Sequence, residues 1–169
     1  MPKLKTHQWS GVILSMKDMF GGVPGARYGW PKTIPTHWKG IQESIIDLCA
    51  TVPVHFVIAD GIVAMEGKGP LNGAARTLET IVLAGDPVAA DATCARLTGF
   101  EPDRIAHICE GSRFLGNSSP NHWLRPKSRP LAATMTLHVP AWGQSQHSRL
   151  YDQVDWFRTD RPLRIWPVA

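Results

Sequence analysis

Two short apolar runs, each closed by a glycine turn and flanked by helical periodicity, restrict this 169-residue chain to a narrow class of folds. Residues 52–59 (Val-Pro-Val-His-Phe-Val-Ile-Ala) end at Asp60-Gly61 and read as a buried strand of an α/β sheet. Residues 80–84 form a second run that ends at Gly85. Between the strands of such a sheet the chain needs helices, and they are legible. Trp38, Ile41, Ile45, Ile46 and Cys49 recur at helical spacing, which predicts an amphipathic helix over 37–50. Asp86-Pro87 offers an N-cap and a first-turn proline for a helix through Val88, Ala92, Cys94, Ala95 and Leu97, stopped by Gly99. Glu101-Pro102-Asp103 opens another short helix that runs to about Glu110. A short helix over 10–20 ends at Gly21-Gly22, and residues 131–139 read as a third strand. Strand and helix alternate, so the expected class is α/β, a mixed or parallel sheet with flanking helices. The domain spans 1–139, and 140–169 form an irregular, aromatic-rich and proline-containing extension.

Composition excludes several functions. Apolar residues at 43% are enough for a core, and a formal charge of +4 favours anionic ligands only weakly. That charge is far from the dense basic stripes of nucleic-acid binders. Cys49, Cys94 and Cys109 show no C-x-x-C spacing, so a zinc site or iron–sulfur cluster held by this chain is not expected. Dispersed thiols fit a reducing compartment, and no stretch approaches 18 apolar residues. The expected setting is cytoplasmic, without membrane or nucleic acid.

The chemistry is concentrated near the start. Lys3-Leu4-Lys5-Thr6-His7 and then Ser15-Met16-Lys17-Asp18-Met19-Phe20-Gly21-Gly22 place cations among small and apolar residues. Lysines beside glycine can hold a carboxylate or phosphate, or join covalently to a carbonyl. Lysine next to His7 pushes the imidazole toward its neutral form, which suits a base. The plainer reading is a solvated basic tail. Because this cluster begins at residue 3, the chain reads as the C-terminal part of a larger domain, with an upstream half missing or borrowed from a partner.

A second candidate is the segment from Asp60 to Gly73, where Asp60 falls at a strand end and Glu66 follows in a loop with Gly67 and Gly69. Two carboxylates there can bind a metal or divide acid and base roles, or simply hydrogen-bond turn amides. The loop is neither a Walker A nor a dinucleotide fingerprint. Asp91 lies on an Ala-rich helix face, where a carboxylate is costly unless partnered, so it is a candidate ligand contact. His37 follows the Gly/Pro-rich loop that holds Arg27 and Lys32, whereas His55 and His107 read as core residues. Asn121-His122-Trp123 and Trp142 read either as a pocket wall or as packing.

Four ordered motifs carry a resemblance: Pro-Lys-Leu-Lys-Thr-His, Ser-Met-Lys-Asp-Met-Phe-Gly-Gly-Val-Pro-Gly, Asp-Gly-Ile-Val-Ala-Met-Glu-Gly-Lys-Gly-Pro-Leu-Asn-Gly and Ala-Gly-Asp-Pro-Val-Ala-Ala-Asp-Ala. Over about residues 2–116 the chain resembles the C-terminal part of domain-of-unknown-function family 362. Members of that family typically have a comparable stretch upstream, and some carry ferredoxin-type cluster modules. A more distant similarity is to the nickel-pincer lactate racemase family, in which a lysine anchors the cofactor and histidines serve catalysis or nickel. His7, Lys17, the Val23-Pro24-Gly25 turn and His37 fall in a similar order, but the glycine pair follows the lysine.

The expectation is therefore an enzyme-like domain acting on a small anionic metabolite or cofactor. Lys5 and Lys17 hold the anion, His7 is the base, His37 lines the cleft, and Asp60 with Glu66 position a metal or a proton. Gly67, Gly69 and Asp91 complete the ligand contacts. The cofactor stays open between a metal and a covalently held group. The alternative is a non-catalytic fragment or accessory subunit that completes its fold as an oligomer or with a partner linked to iron–sulfur redox proteins.

Overall fold

The computed structural model describes residues 1–24, 37 and 40–119. The chain opens directly into a strand, β1 (Lys3–His7), whose side chains alternate between exposed or half-buried lysines and buried Leu4 and Thr6. That period of two is the signature of a half-covered sheet. A tight turn leads into β2 (Gly11–Ile13), which pairs antiparallel with β1. The helix expected over 10–20 is thus shortened to α1 (Ser15–Asp18) and a 3₁₀ turn (Met19–Gly22), because its first two apolar positions, Val12 and Ile13, pair as a strand. Next comes α2 (Ile41–Thr51), burying Ile41, Ile45 and Cys49 as its spacing predicts.

The chain then forms two long strands, β3 (Val57–Lys68) and β4 (Asn72–Ala84). The strand expected over 52–59 starts only at Val57, since Pro53 has no N–H for a ladder and breaks the run. Asp60-Gly61 does not close it: Asp60 pairs with Ile81 and Gly61 with Thr80 inside the ladder. Between Gly61 and Val63 the register shifts, so Leu78 and Glu79 of β4 stand opposite Ile62 alone. This is the geometry of a β-bulge, and Glu79 takes it with a positive φ of 51°.

α3 (Pro87–Leu97) follows, capped by Asp86, whose side chain accepts from the N–H groups of Val88 and Ala89. Thr98 and Gly99 end it as expected, with Gly99 at a φ of 84°. A 3₁₀ turn (Pro102–Arg104) and α4 (Ala106–Gly111) complete the described chain. Sheet order is β2-β1-β3-β4, with β1 and β3 parallel and the other pairs antiparallel. This is a mixed α/β sheet. The parallel pair needs a crossover, and α1 and α2 supply it.

The core lies between the helices and one face of the sheet. Leu4, Ala59, Ala64 and Leu78 meet Met16, Ile45, Val88, Cys94, Ile105 and Ile108. On the other face the register partners Ile58 and Leu83 stand beside Ile81, and these three are 40%, 62% and 54% exposed. His55, expected in the core, is exposed because it precedes the strand. The strand expected over 131–139, the extension over 140–169, Arg27, Lys32, Asn121, His122, Trp123 and Trp142 lie outside the described residues.

Candidate functional site

At the end of β1 the chain turns back through Trp9 and Ser10, and this turn fixes the state of His7. The backbone N–H groups of Trp9 and Ser10 both donate to His7 Nδ1, each at 3.1 Å. A nitrogen that accepts must keep its lone pair, so the proton of the neutral ring is on Nε2. Burial, reinforced by the charges of Lys17, His37, Lys5 and His107, lowers the His7 pKa to about 3. The neutral form expected from the sequence is thus present, but the role changes. His7 presents an N–H donor near pH 7, not the free lone pair of a base.

Lys17 is placed by a different route. Asp91, buried on α3, accepts from the N–H of Ser15 at 2.7 Å, from the N–H of Met16 at 3.0 Å and from the Ser15 hydroxyl. These bonds serve the otherwise unpaired amides at the start of α1. Both Asp91 oxygens are committed to the backbone, so Asp91 is a positioning residue and not the ligand contact read from the sequence. Burial raises its pKa to about 7 against the opposing effect of those hydrogen bonds. From this anchored turn, Lys17 reaches inward until only 8% of it is exposed, with Nζ 4.1 Å from the centroid of the Phe20 ring. Burial first, and Lys5 after it, bring its pKa down to about 8, while Asp18 opposes the shift. No carboxylate among the described residues lies within ion-pair distance of Nζ. An amine with this pKa is mostly charged at pH 7, yet it deprotonates far more readily than an exposed lysine.

His37 joins the group. Its ring is 6.4 Å from that of His7, 5.0 Å from Trp9 and 5.6 Å from Phe20, the two aromatic contacts being edge-on. The fold therefore brings together Lys5, His7, Lys17 and His37, as the sequence suggested, and walls them with Trp9 and Phe20.

Two further residues, Gln42 and His107, belong to the same neighbourhood without a clear signal in the sequence. Gln42 of α2 donates from Nε2 to the Trp9 carbonyl at 3.3 Å, and its Oε1 accepts from the His107 N–H at 3.1 Å. The same Oε1 lies 2.7 Å from His107 Nδ1. His107 is fully buried, and its pKa falls to about 3 through burial and the nearby Lys17. A helical histidine among Ile105, Ile108 and Cys109 looks like core from sequence alone. The only hint was Gln42, a polar residue beside Ile41 in an amphipathic helix.

Four expected residues are not part of this group. Asp60 ion-pairs with Lys3 at 2.7 Å, at the far end of β1 from His7. Four strand steps separate Lys3 from His7, about 13 Å. Lys3 and the Ile62 N–H hold the Asp60 carboxyl below its ordinary range. Glu66 is a strand residue, 3.6 Å from Arg76. The register partner of Lys5 is Met65, so strand alternation turns Glu66 to the opposite face. Gly67 accepts the Thr6 hydroxyl at its carbonyl, and a Cβ on Gly69 would lie 2.0 Å from the Thr6 carbonyl oxygen. These glycines allow the hairpin to dock on β1; they do not shape a ligand loop.

The group is cationic or neutral, with no carboxylate among the residues brought together. Among the described residues no three His, Cys, Asp or Glu side chains are arranged to hold a metal ion. Burial raises the Cys49 thiol to about 12 and pushes Cys94 up as well, the opposite of what a thiolate ligand requires.

Among curated proteins the chain is similar to a thylakoid-associated protein of Synechocystis sp., with 26% identity over 131 residues. That match covers 77% of this chain and 41% of the relative, so the chain spans less than half the length of the protein it matches. No solved structure matches. No helix among the described residues is long and apolar enough to cross a membrane. The model of the DUF362 family, a domain of unknown function, matches residues 1–96, which hold all four strands of the described residues, the anchored Lys17 turn and Asp91, and the chain belongs to that family.

Proposed function

We propose that this domain binds a small anionic metabolite or anionic cofactor at the end of β1, in an enzyme-like site. Lys5 and Lys17 supply the charge, His7 donates from Nε2, and His37 with Trp9 and Phe20 forms the wall. The observation that carries this reading is Lys17, an ammonium 8% exposed and without a carboxylate in ion-pair distance among the described residues. A buried charge left in that state is costly, and a bound anion removes the cost. The residues do not favour a metal cation, because the surrounding charges are positive and His7 offers no lone pair. The similarity in order to the nickel-pincer enzymes therefore points to where the site lies and does not extend to a metal. A covalent link through the Lys17 amine remains chemically accessible.

The test is calorimetric titration of the chain with inorganic phosphate. Binding that is lost in Lys17→Ala, at unchanged melting behaviour, supports the reading. Equal binding by both proteins overturns it.

A second reading has its own support in the exposed Ile58, Ile81 and Leu83 on the uncovered sheet face. It makes the chain an accessory part that completes its fold against a partner or another copy. An iron–sulfur link would then belong to that partner. Light scattering separates the readings, since a monodisperse monomer leaves the face uncovered. A cytoplasmic setting, apart from membrane and nucleic acid, agrees with three free cysteines and a modest net charge.

A further inference from the structure

Among the described residues His107 is the one fully buried histidine, and its two nitrogens are treated differently. Gln42 is oriented by its own bonds: Nε2 donates to the Trp9 carbonyl, which leaves Oε1 as the acceptor facing α4. An amide oxygen cannot donate, so the 2.7 Å contact requires a proton on His107 Nδ1. The lone pair therefore sits on Nε2, which is buried without a hydrogen-bond partner among the described residues. Buried polar atoms are rarely left in this state, and each one calls for an explanation.

Two observations connect the His107 ring to the cationic site. A continuous chain of bonds runs from His107 Nδ1 through Gln42 to the Trp9 carbonyl, and the Trp9 N–H holds His7. Lys17 is also close enough to depress the His107 pKa, and His107 in turn depresses that of His7. The same backbone turn thus fixes the two imidazoles in opposite senses, His7 as donor and His107 as acceptor.

We propose that His107 is the hydrogen-bond acceptor of the site, its Nε2 receiving an O–H or N–H that the bound anion carries beside its charge. This assignment rests on the anion-binding reading above and narrows its ligand class. The lysines select for negative charge, and His107 selects, among anions, those that still hold a proton. A metal cation on Nε2 is disfavoured by the neighbouring ammonium groups.

Inorganic phosphate and sulfate test this directly. Both are tetrahedral oxyanions of similar size, but at pH 7 phosphate keeps a P–O–H and sulfate has none. The full chain, labelled with ¹⁵N at histidine, is titrated with each anion while long-range ¹H–¹⁵N spectra follow the ring nitrogens. Without anion, His107 should be protonated at Nδ1 only. Phosphate should shift Nε2 and bind at least about tenfold more tightly than sulfate, as expected where a buried acceptor goes unpaired with the wrong ligand. His107→Phe should reduce phosphate to the affinity of sulfate; the spectra of the unsubstituted chain decide the matter even where that variant fails to fold. Equal binding of both anions, lost in Lys17→Ala, with Nε2 unmoved, overturns the His107 assignment and leaves the anion reading standing. Absence of binding by either anion overturns both.

Discussion

A buried lysine and a buried aspartate, each held by the same short helix, set the behaviour of this site at the scale of single residues. Lys17 has a folded-state pKa of about 8, below the ordinary 10.5. Between those values the unfolded chain holds more protons than the folded one, so stability rises with pH across that window. Below pH 8 both states are charged and the burial penalty is fully present. We expect Lys17→Met to remove the rise, shown by urea unfolding at pH 8 and pH 10, and to leave the melting temperature at pH 7 no lower than that of the unsubstituted chain. A variant that unfolds readily at pH 7 would show that the ammonium supports the fold. Asp91 is the opposite case. Asp91→Ala strands the Ser15 and Met16 amides and the Ser15 hydroxyl, and should cost about 2–4 kcal/mol in denaturant unfolding. An expected companion effect is weaker phosphate binding, since the Lys17 turn loses its anchor. An Asp91→Ala protein of full stability would remove Asp91 from its positioning role.

The elements show what could be read in advance and what could not. α2 and α3 were legible because periodicity and the Asp86-Pro87 cap are local, and the end of α3 at Gly99 was equally so. β1 was not, although Lys-Leu-Lys-Thr-His alternates, because five residues rich in charge resemble a tail until a partner strand is present. The β3–β4 ladder hid Asp60, Glu66 and Gly67 for the same reason: residues that read as turn and loop stand inside a strand when a long-range ladder overrides them, and Gly69 lies in the turn just beyond it. Of the site, the cations and His37 were legible from type and order. The roles of His7 and His107 depend on which nitrogen each backbone or amide neighbour occupies, and no spacing encodes that. Two substitutions test the ladder. Gly69→Ala drives a Cβ against the Thr6 backbone and should cost about 2–3 kcal/mol, with phosphate affinity falling as β1 shifts. Gly67→Ala meets open space and only its φ of 80°, so its cost should be about 1–2 kcal/mol. Equal losses measured by thermal melts would mean that the hairpin does not rest on β1.

On the scale of the whole molecule, three buried titrations combine into one acid response. His7 and His107 have folded pKa values of about 3, well below the ordinary 6.5. Between these values the unfolded state binds the extra protons, so both histidines withdraw stability as pH falls. Asp91, raised from 3.8 to about 7, works in the other direction, because there the folded state holds the extra proton and gains as pH falls. Two protons outweigh one between pH 6 and pH 4. The domain should therefore lose about 1 kcal/mol of stability per pH unit on acidification through that range. The opposing signs make the claim separable. Asp91→Asn removes the compensating group and should steepen the loss towards twice that slope, whereas His7→Asn should flatten it. Urea midpoints at half-unit steps of pH give all three slopes in one experiment. A midpoint that stays constant from pH 6 to pH 4 in the unsubstituted chain would mean that the imidazoles are not held neutral. The donor–acceptor pair at the end of β1 would then lose its physical basis, since a charged imidazole donates from both nitrogens.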